Sequence, residues 1–376
     1  MRILLFANTD WYLYNFRVSL IERLSSDSCE VILVAPAGEY FSRLEAKNVK
    51  CLPIDWRRGR FSLWRELKVV FQLIRIYRQT KPTIAHHFTL KCIVYGTVAS
   101  TITAVPGVVN SVTGLGYAFI SDKIRAKGLR FCLTNILRLV SKKKNSHLIV
   151  QNKSDERLIQ KVTRVSSHKL HLVHGSGVNL EKYKPASNRS SSTIKVLMAA
   201  RLLKDKGVRE FIGAAKETLE HRGDVEFVLA GDLDHGNPAS IRQPEIDSWK
   251  TIKGLTMAGH VRDIIPIMQD SDIFVLPSYR EGFSKVLLEA AACQLPIVTT
   301  NVPGCKEIVD DGRTGILVDV GSVLSLVEAI NQLLDSHETR LAMGKSGRAK
   351  VRESFDEAKI ISQTCAVYAV VLRALP

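Results

Sequence analysis

The sequence predicts an α/β protein of two Rossmann-like, doubly wound parallel-sheet domains facing a central cleft. Three observations predict it. The length of 376 residues exceeds one ordinary compact domain and fits two. Short apolar runs alternate with amphipathic stretches along both halves, the pattern of parallel strands covered by helices. A polar stretch, Lys184 to Ser192, carries Pro185, lacks apolar periodicity and separates the halves.

In the first half the apolar runs place strands at Ile3–Ala7, Val31–Ala35, Cys51–Ile54, Thr83–His87, Val108–Val112, Leu148–Gln151 and Leu170–Val173. In the second they place strands at Ile194–Ala199, Glu226–Ala230, Leu255–Ala258, Ile273–Leu276, Ile297–Thr300 and Gly315–Val318. Helices are predicted to begin near Lys206, Asp263, Phe283, Ser322 and Glu338, and a last helical run covers Asp356 to Ala374. The domains are therefore set at 1–184 and 194–355, with a linker at 185–193 and a closing helix at 356–376. The uncharged run Cys92 to Val109 contains Thr, Ser, Gly and Pro, and reads as a buried helix followed by a strand rather than a membrane span. The start, Met1 to Ala7, has too short an apolar run for a signal-peptide core.

Composition narrows the function. Hydrophobic residues at 45% and charged residues at 24% fit a folded chain with a large core. The seven scattered cysteines are odd in number and form no C-x-x-C pair, which argues against a disulfide framework or zinc site and for a reducing, cytoplasmic setting. The net charge of +16 is unevenly spread: residues 1–185 hold 30 basic against 12 acidic residues, and the remainder is slightly acidic. One half is thus built to meet something anionic. Two stretches concentrate the charge, Arg57 to Lys81 and Lys123 to Lys144, each with apolar residues interleaved. Amphipathic helices of that kind can lie in an anionic lipid interface. The competing reading is a helix that buries its apolar face and leaves Lys and Arg in water.

Ligands of doubly wound sheets bind beyond the carboxyl ends of the strands, so the site is expected in the cleft. The strongest signal there is Arg280-Glu281-Gly282-Phe283-Ser284-Lys285-Val286-Leu287-Leu288-Glu289, after the strand ending at Leu276. Strand, glycine-containing turn at Gly282 and helix in that order aim backbone N–H groups at Phe283 and Ser284 toward the cleft, an anion site suited to a diphosphate, with Gly282 part of it. If Glu281 and Glu289 were both helical they would stand about 12 Å apart. That is beyond either glycosidase carboxylate geometry of about 5 to 9.5 Å. The pair is better suited to gripping hydroxyls at two points of an extended ligand. The second signal is Arg201 and Lys206, which straddle the entry to the next helix and can neutralise a diphosphate leaving group.

On these residues the chain resembles the retaining GT-B glycosyltransferases of family four. Within it, the likeness is to the subgroup that builds capsule, O-antigen and lipid-linked oligosaccharides, N-acetylgalactosaminyltransferase-like members included. The resemblance spans nearly the whole chain. It is carried further by Leu276-Pro277-Ser278, Val302-Pro303-Gly304 and Gly312-Arg313-Thr314-Gly315. In the first half it rests on Asn8-Thr9-Asp10-Trp11, Tyr14-Asn15-Phe16-Arg17, His86-His87-Phe88 and Thr113-Gly114-Leu115-Gly116-Tyr117. The resemblance implies a UDP-sugar donor, with Arg201 and Lys206 on its diphosphate, Glu281 on the donor-sugar hydroxyls and Glu289 on the ribose. It implies that the strand end at His260-Val261-Arg262 faces the uracil, that the anomeric configuration is retained, and that no metal or other cofactor is needed. It implies a last helix that crosses back onto the first domain. Acceptor contacts would fall at Asn15, Arg17, His86, Thr113 and Gly114. Two departures stand out. The loop Asn8 to Phe16 has no glycine where many relatives are glycine-rich. Thr113 also stands where many carry a histidine, so that role passes to His86 or His87, with His87 the catalytic candidate, or is absent.

The expected partners are a UDP-sugar, a polyprenyl-diphosphate-linked sugar as acceptor, and the anionic inner face of the plasma membrane. A nucleotide-sugar epimerase and a transferase with a soluble acceptor are the alternatives. Nucleic acid is not expected, because no recognition motif accompanies the basic charge. Asp232-Leu233-Asp234 resembles a metal-binding D-x-D but sits in the wrong fold for it. His168, His171 and His174 do not share one face of a strand, which disfavours a common metal.

Overall fold

The computed structural model describes all residues except 57–61, 116–123, 144, 187–192, 235 and 376. The chain divides into two compact units, Met1–Ser176 with Lys359–Pro376, and Gly177–Ala358.

The first unit contains β1 (Arg2–Phe6), α1 (Asp10–Ser26), β2 (Glu30–Ala35), α2 (Phe41–Glu45), β3 (Lys50–Pro53), α3 (Leu63–Thr80), β4 (Ile84–Phe88), α4 (Leu90–Ile102), β5 (Gly107–Val112), α5 (Ile124–Lys142), β6 (Ser146–Val150), α6 (Lys153–Thr163) and β7 (Leu170–Leu172). Its sheet runs β3-β2-β1-β4-β5-β6-β7 and every pairing is parallel. The strands are apolar almost throughout because both faces are covered. Ile3 and Leu5 point to one core cluster, and Leu4 and Phe6 to the other.

The second unit contains β8 (Ile194–Ala199), α7 (Val208–His221), β9 (Val225–Ala230), α8 (Gln243–Trp249), β10 (Leu255–Gly259), α9 (Ile265–Gln269), β11 (Ile273–Leu276), α10 (Lys285–Ala292), β12 (Ile297–Thr300), β13 (Gly315–Val318), α11 (Val323–Asp335) and α12 (His337–Ser354). Its parallel sheet runs β10-β9-β8-β11-β12-β13. The last helix, α13 (Glu357–Arg373), returns the chain to the first unit, where Ile360, Val367, Tyr368 and Val371 pack in one cluster with Ile3 and Leu5.

In each sheet the order of strands reverses once, with all strands parallel. In the first unit the order turns between β1 and β4, and in the second between β8 and β11. These are the points at which doubly wound sheets open a crevice beyond the strand ends.

Three features depart from the sequence reading. The boundary lies at 176/177, ahead of the polar linker: Val178, Leu180 and Tyr183 are core residues of the second unit, and Val178 bridges to Asp356. Most of the expected linker is outside the described residues. Gly116 and Tyr117, and Arg57 to Phe61, Lys123 and Lys144 of the basic stretches, are outside them too. The helix expected to open near Phe283 begins at Lys285, so Glu281 precedes it in a turn and the helical spacing to Glu289 does not apply. α8 was not anticipated, because Pro244 sits in a short segment without periodicity. Among the described residues no helix is long and apolar enough to cross a membrane.

Candidate functional site

Lys206 follows β8 and Glu281 follows β11, so the reversal of strand order brings the two loops side by side. Lys206 Nζ lies 2.6 Å from Glu281 Oε1, and Ser278 Oγ donates to the same oxygen at 2.8 Å. Both partners are largely screened from water, with 19% and 11% of their side chains exposed.

The backbone beneath holds this pair. A short turn at Lys204–Lys206 ends on Gly207, whose φ is +75°, and α7 starts there. A Cβ on Gly207 would stand 2.1 Å from the Pro277 carbonyl oxygen, so only glycine permits the two loops to approach this closely. Tyr279 N–H donates to the Asp205 carbonyl at 2.9 Å, tying the loops together. On the other side Gly304, at φ +80°, lies against the Glu281 and Gly282 carbonyls, again at distances that exclude a Cβ. The Thr300 hydroxyl donates to the Ser278 carbonyl and the Thr299 hydroxyl to that of Leu276 at 2.7 Å. The turn bearing Glu281 is thus clamped from both neighbouring strands.

Ser284 is the N-cap of α10, and its side chain makes no capping bond. Phe283 is buried against the Phe355 ring, at 5.2 Å between centroids. The first turn of a helix has N–H groups without intrahelical partners and a positive dipole end, so this position favours an anion. One turn further on, Glu289 is 9% exposed and its Oε1 accepts from the Tyr183 hydroxyl at 2.8 Å. Burial pushes the Glu289 carboxyl above its ordinary range, opposed by the charge of Lys285, the Tyr183 hydrogen bond and the charge of Lys182. A buried carboxylate held this way has kept acceptor capacity for hydroxyl donors.

Arg201 behaves differently from the sequence expectation. Its guanidinium does not join Lys206. It pairs with Asp234, which follows β9, at 2.6 Å, and remains 56% exposed. Asp234 also accepts from the Asn237 side chain at 3.0 Å. Asp232 bonds its neighbour's backbone, Leu233 N–H, at 2.7 Å, so the two aspartates face separate partners. Val261 is half-buried and Arg262 exposed just beyond edge strand β10. The carboxyl ends of β8, β9, β10 and β11 therefore carry Arg201 and Lys206, Asp234, Val261, and Glu281 on one edge of the sheet.

In the first unit His86 and His87 end a central strand and are fully buried. Both nitrogens of each ring are occupied. His86 bonds the Tyr368 hydroxyl at 2.6 Å and Ser111 Oγ at 2.7 Å; His87 bonds Asn110 Oδ1 at 2.7 Å and the Tyr77 hydroxyl at 3.0 Å. Burial lowers the pKa of His86 well below the ordinary value and that of His87 to about 4. Both are neutral packing histidines, and neither presents a nitrogen to a ligand; the expected catalytic role of His87 has no free atom to carry it. His171 bonds His147 at 3.0 Å across β6 and β7, while His168 lies in a turn outside the strand. Thr113 and Gly114 follow β5 and are half-buried, and Asn15 donates to the Trp11 carbonyl at 3.0 Å on α1. Arg17 is 5% exposed on the same helix.

Tyr183, Ser278, Gly207 and Asp234 were not anticipated as parts of the site. Gly207 left a local trace, as a glycine directly before a helix, and Ser278 another, in the Leu276-Pro277-Ser278 motif three residues before Glu281; Tyr183 and Asp234 matter through distant partners.

Comparison with known proteins places the chain in a family. Residues 179–350 match the family model "Glycosyl transferases group 1", and residues 2–153 match "Glycosyl transferase 4-like". The chain is similar to the capsular polysaccharide biosynthesis glycosyltransferase CapM of Staphylococcus aureus, 26% identical over 94% of this chain and 93% of that one. It is similar to the N,N'-diacetylbacillosaminyl-diphospho-undecaprenol alpha-1,3-N-acetylgalactosaminyltransferase of Campylobacter jejuni, 27% identical over 99% of this chain and the whole relative. Its fold matches Anabaena HepE, solved with UDP and glucose, at a TM-score of 0.79, with 18% identity over 98% of this chain and 99% of that one.

Proposed function

Because the chain is a glycosyltransferase of GT-B fold, we propose that it moves a hexose or N-acetylhexosamine from a UDP-sugar, with retention, to a sugar carried on a polyprenyl diphosphate. The observation that carries this reading is Lys206 locked to Glu281 at the strand-order reversal of the second unit.

In this reading Lys206 and the first turn of α10 receive the donor diphosphate and stabilise it as it leaves. Glu281, fixed by Lys206 and Ser278, takes donor-sugar hydroxyls. Glu289, steadied by Tyr183, takes the ribose hydroxyls. Arg201 exchanges Asp234 for phosphate when donor binds, a short rotation for an exposed side chain. The backbone at Val261 and Arg262 faces the uracil. The charge of the departing UDP is met by protein cations and helix N–H groups, so the reaction runs without a metal. Asn15, Thr113 and Gly114 lie beyond strands of the first unit or on α1, where the acceptor is assigned.

Attachment to an anionic membrane surface belongs to the same reading. On α3, Leu63, Trp64 and Phe71 are exposed by 62, 83 and 67%, and on α5 Phe131 and Leu139 by 71 and 67%. Apolar side chains that stand in water beside Arg65, Lys68, Arg75 and Arg138 suit a lipid interface.

A panel of UDP-sugars offered with a polyprenyl-diphosphate-linked sugar, read by mass spectrometry, tests the proposal. A product one hexose or N-acetylhexosamine heavier, with the α-configured linkage by NMR, is the expected result. Interconversion of the UDP-sugar without acceptor would replace this reading by an epimerase.

A further inference from the structure

Arg17 is a buried cation with no acidic partner among the described residues. It is 5% exposed, and among the described residues its only hydrogen bond runs from Nη2 to the Tyr12 hydroxyl at 2.8 Å, while its buried Nε has no partner. Its guanidinium carbon lies 4.5 Å from the centroid of the Phe88 ring and 5.5 Å from that of Tyr12. Aromatic faces attract a guanidinium but leave its edge donors unsatisfied. A charge buried this way is destabilising unless something completes it.

What surrounds it points to the missing partner. Phe88 ends β4, and Thr89 follows as the N-cap of the 13-residue α4. Thr89 has φ +75° and ψ 153°, a strained conformation for a β-branched residue. Its hydroxyl is buried and makes no hydrogen bond; the Cys92 thiol lies near it, but the geometry does not complete a bond. α1 also starts at this edge, after β1, and β1 and β4 flank the reversal of the first sheet. Two helix N-termini, an orphaned guanidinium edge, an orphaned hydroxyl and a strained residue therefore gather at the crevice of the first unit.

We propose that Arg17, Thr89 and the first turn of α4 form an oxyanion subsite, which binds a phosphate or carboxylate group of the acceptor. The proposal rests on the glycosyltransferase reading only for the word acceptor; the oxyanion site stands on the first unit alone. A phosphate of the lipid-linked diphosphate and the carboxylate of an acidic sugar share the chemistry, and separate probes distinguish them.

The test is thermal unfolding of the full chain, saturated with UDP so that the diphosphate position proposed in the second unit is filled, with and without inorganic pyrophosphate or glucuronate, for wild type, Arg17→Met, Arg17→Lys and Thr89→Val. Wild type is expected to be stabilised by pyrophosphate, by glucuronate or by both, and the one that acts identifies the source. Arg17→Met is expected to lose that shift while unfolding at a higher temperature than wild type without anion, because it discards a buried unpaired charge. Thr89→Val and Arg17→Lys should each weaken the anion's apparent affinity about tenfold, as loss of one hydrogen bond to a charged group does. The subsite is overturned if neither anion shifts wild type, if Arg17→Met keeps the shift, or if Arg17→Met is the less stable protein without anion. UDP alone reports on the second unit: a missing UDP shift would count against the proposed donor and leave the anion result standing.

Discussion

Lys206 and Glu281 are 75 residues apart in sequence and 2.6 Å apart in space, and each fixes the other at the strand-order reversal of the second unit. Such a pair acts as one device, so its removal is not additive. Lys206→Ala should lower turnover about 10²–10³-fold, the usual loss for one donor to a developing negative charge. Lys206→Ala with Glu281→Ala together should be less damaging than the product of the two single losses. Steady-state kinetics of the three variants checks this; near-normal turnover in Lys206→Ala would remove Lys206 from the mechanism.

Tyr183 should matter for donor binding more than for chemistry. Its hydroxyl steadies a carboxylate that burial already disfavours as an anion. Tyr183→Phe is expected to raise the donor KM severalfold at constant kcat, and to move the acid limb of kcat/KM to higher pH because Glu289 would hold its proton longer. An unchanged KM and an unchanged pH profile would show Tyr183 to be a core residue only.

Gly207 is irreplaceable on geometric grounds. Alanine there faces both a positive φ and a carbonyl oxygen at 2.1 Å. Gly207→Ala should cost more than about 1 kcal/mol of stability and disable the site by parting the two loops. Gly223→Ala is the control, since its added methyl meets nothing within 4 Å. Equal unfolding midpoints for the two variants would contradict the close approach.

Acid should destabilise the first unit before carboxylates titrate. His87 and His147 have pKa values near 4, and that of His86 is lowered well below its usual value, all chiefly through burial. The folded state keeps these rings neutral, whereas the unfolded chain binds their protons near pH 6.5. Their stability contribution is complete above about pH 6.5 and is lost as pH falls toward 4, amounting to about 2–3 kcal/mol for His87 alone by pH 4.5. Glu289 has the opposite sign, because its folded pKa is raised and proton uptake favours the folded state. It is one group against four, because burial lowers the pKa of His171 as well. Urea midpoints at pH 7.5, 5.5 and 4.5 should therefore fall, and a flat series would refute the buried neutral histidines.

The exposed apolar residues of α3 offer a separate check on membrane attachment. Trp64→Ser with Phe71→Ser should reduce binding to anionic vesicles more than tenfold, since each side chain carries about 1.5–3 kcal/mol of transferable apolar surface. Turnover with a short, water-soluble acceptor should be unchanged. Co-sedimentation with anionic and with neutral vesicles reads the difference, and equal, negligible binding of wild type to both would rule out a lipid surface.

Much of this fold was legible because parallel strands covered on both faces are plain apolar runs; Ile194–Ala199, Ile273–Leu276, Ile297–Thr300 and Gly315–Val318 have the predicted bounds. The positions of Lys206 and Glu281 after strands were legible; their pairing with each other was not. Less visible were the partners that tertiary structure supplies. Nothing near Arg201 indicates Asp234, nothing near Glu289 indicates Tyr183, and the polar tract after Lys184 hid that Val178 to Tyr183 already belong to the second core. His86 looked reactive in the sequence because its occupant, Tyr368, lies 282 residues away.

That separation has a consequence for how the molecule is made. The segment from Gly177 to Ala358 is continuous and can assemble as soon as it leaves the ribosome, whereas the half begun first waits for residues 359 to 371. Until then Ile3, Leu5 and Phe88 lack the helix that packs with them, and His86 lacks its phenol. The earlier-born half finishes last, so a nascent chain arrested just short of α13 would be a prime client for chaperones.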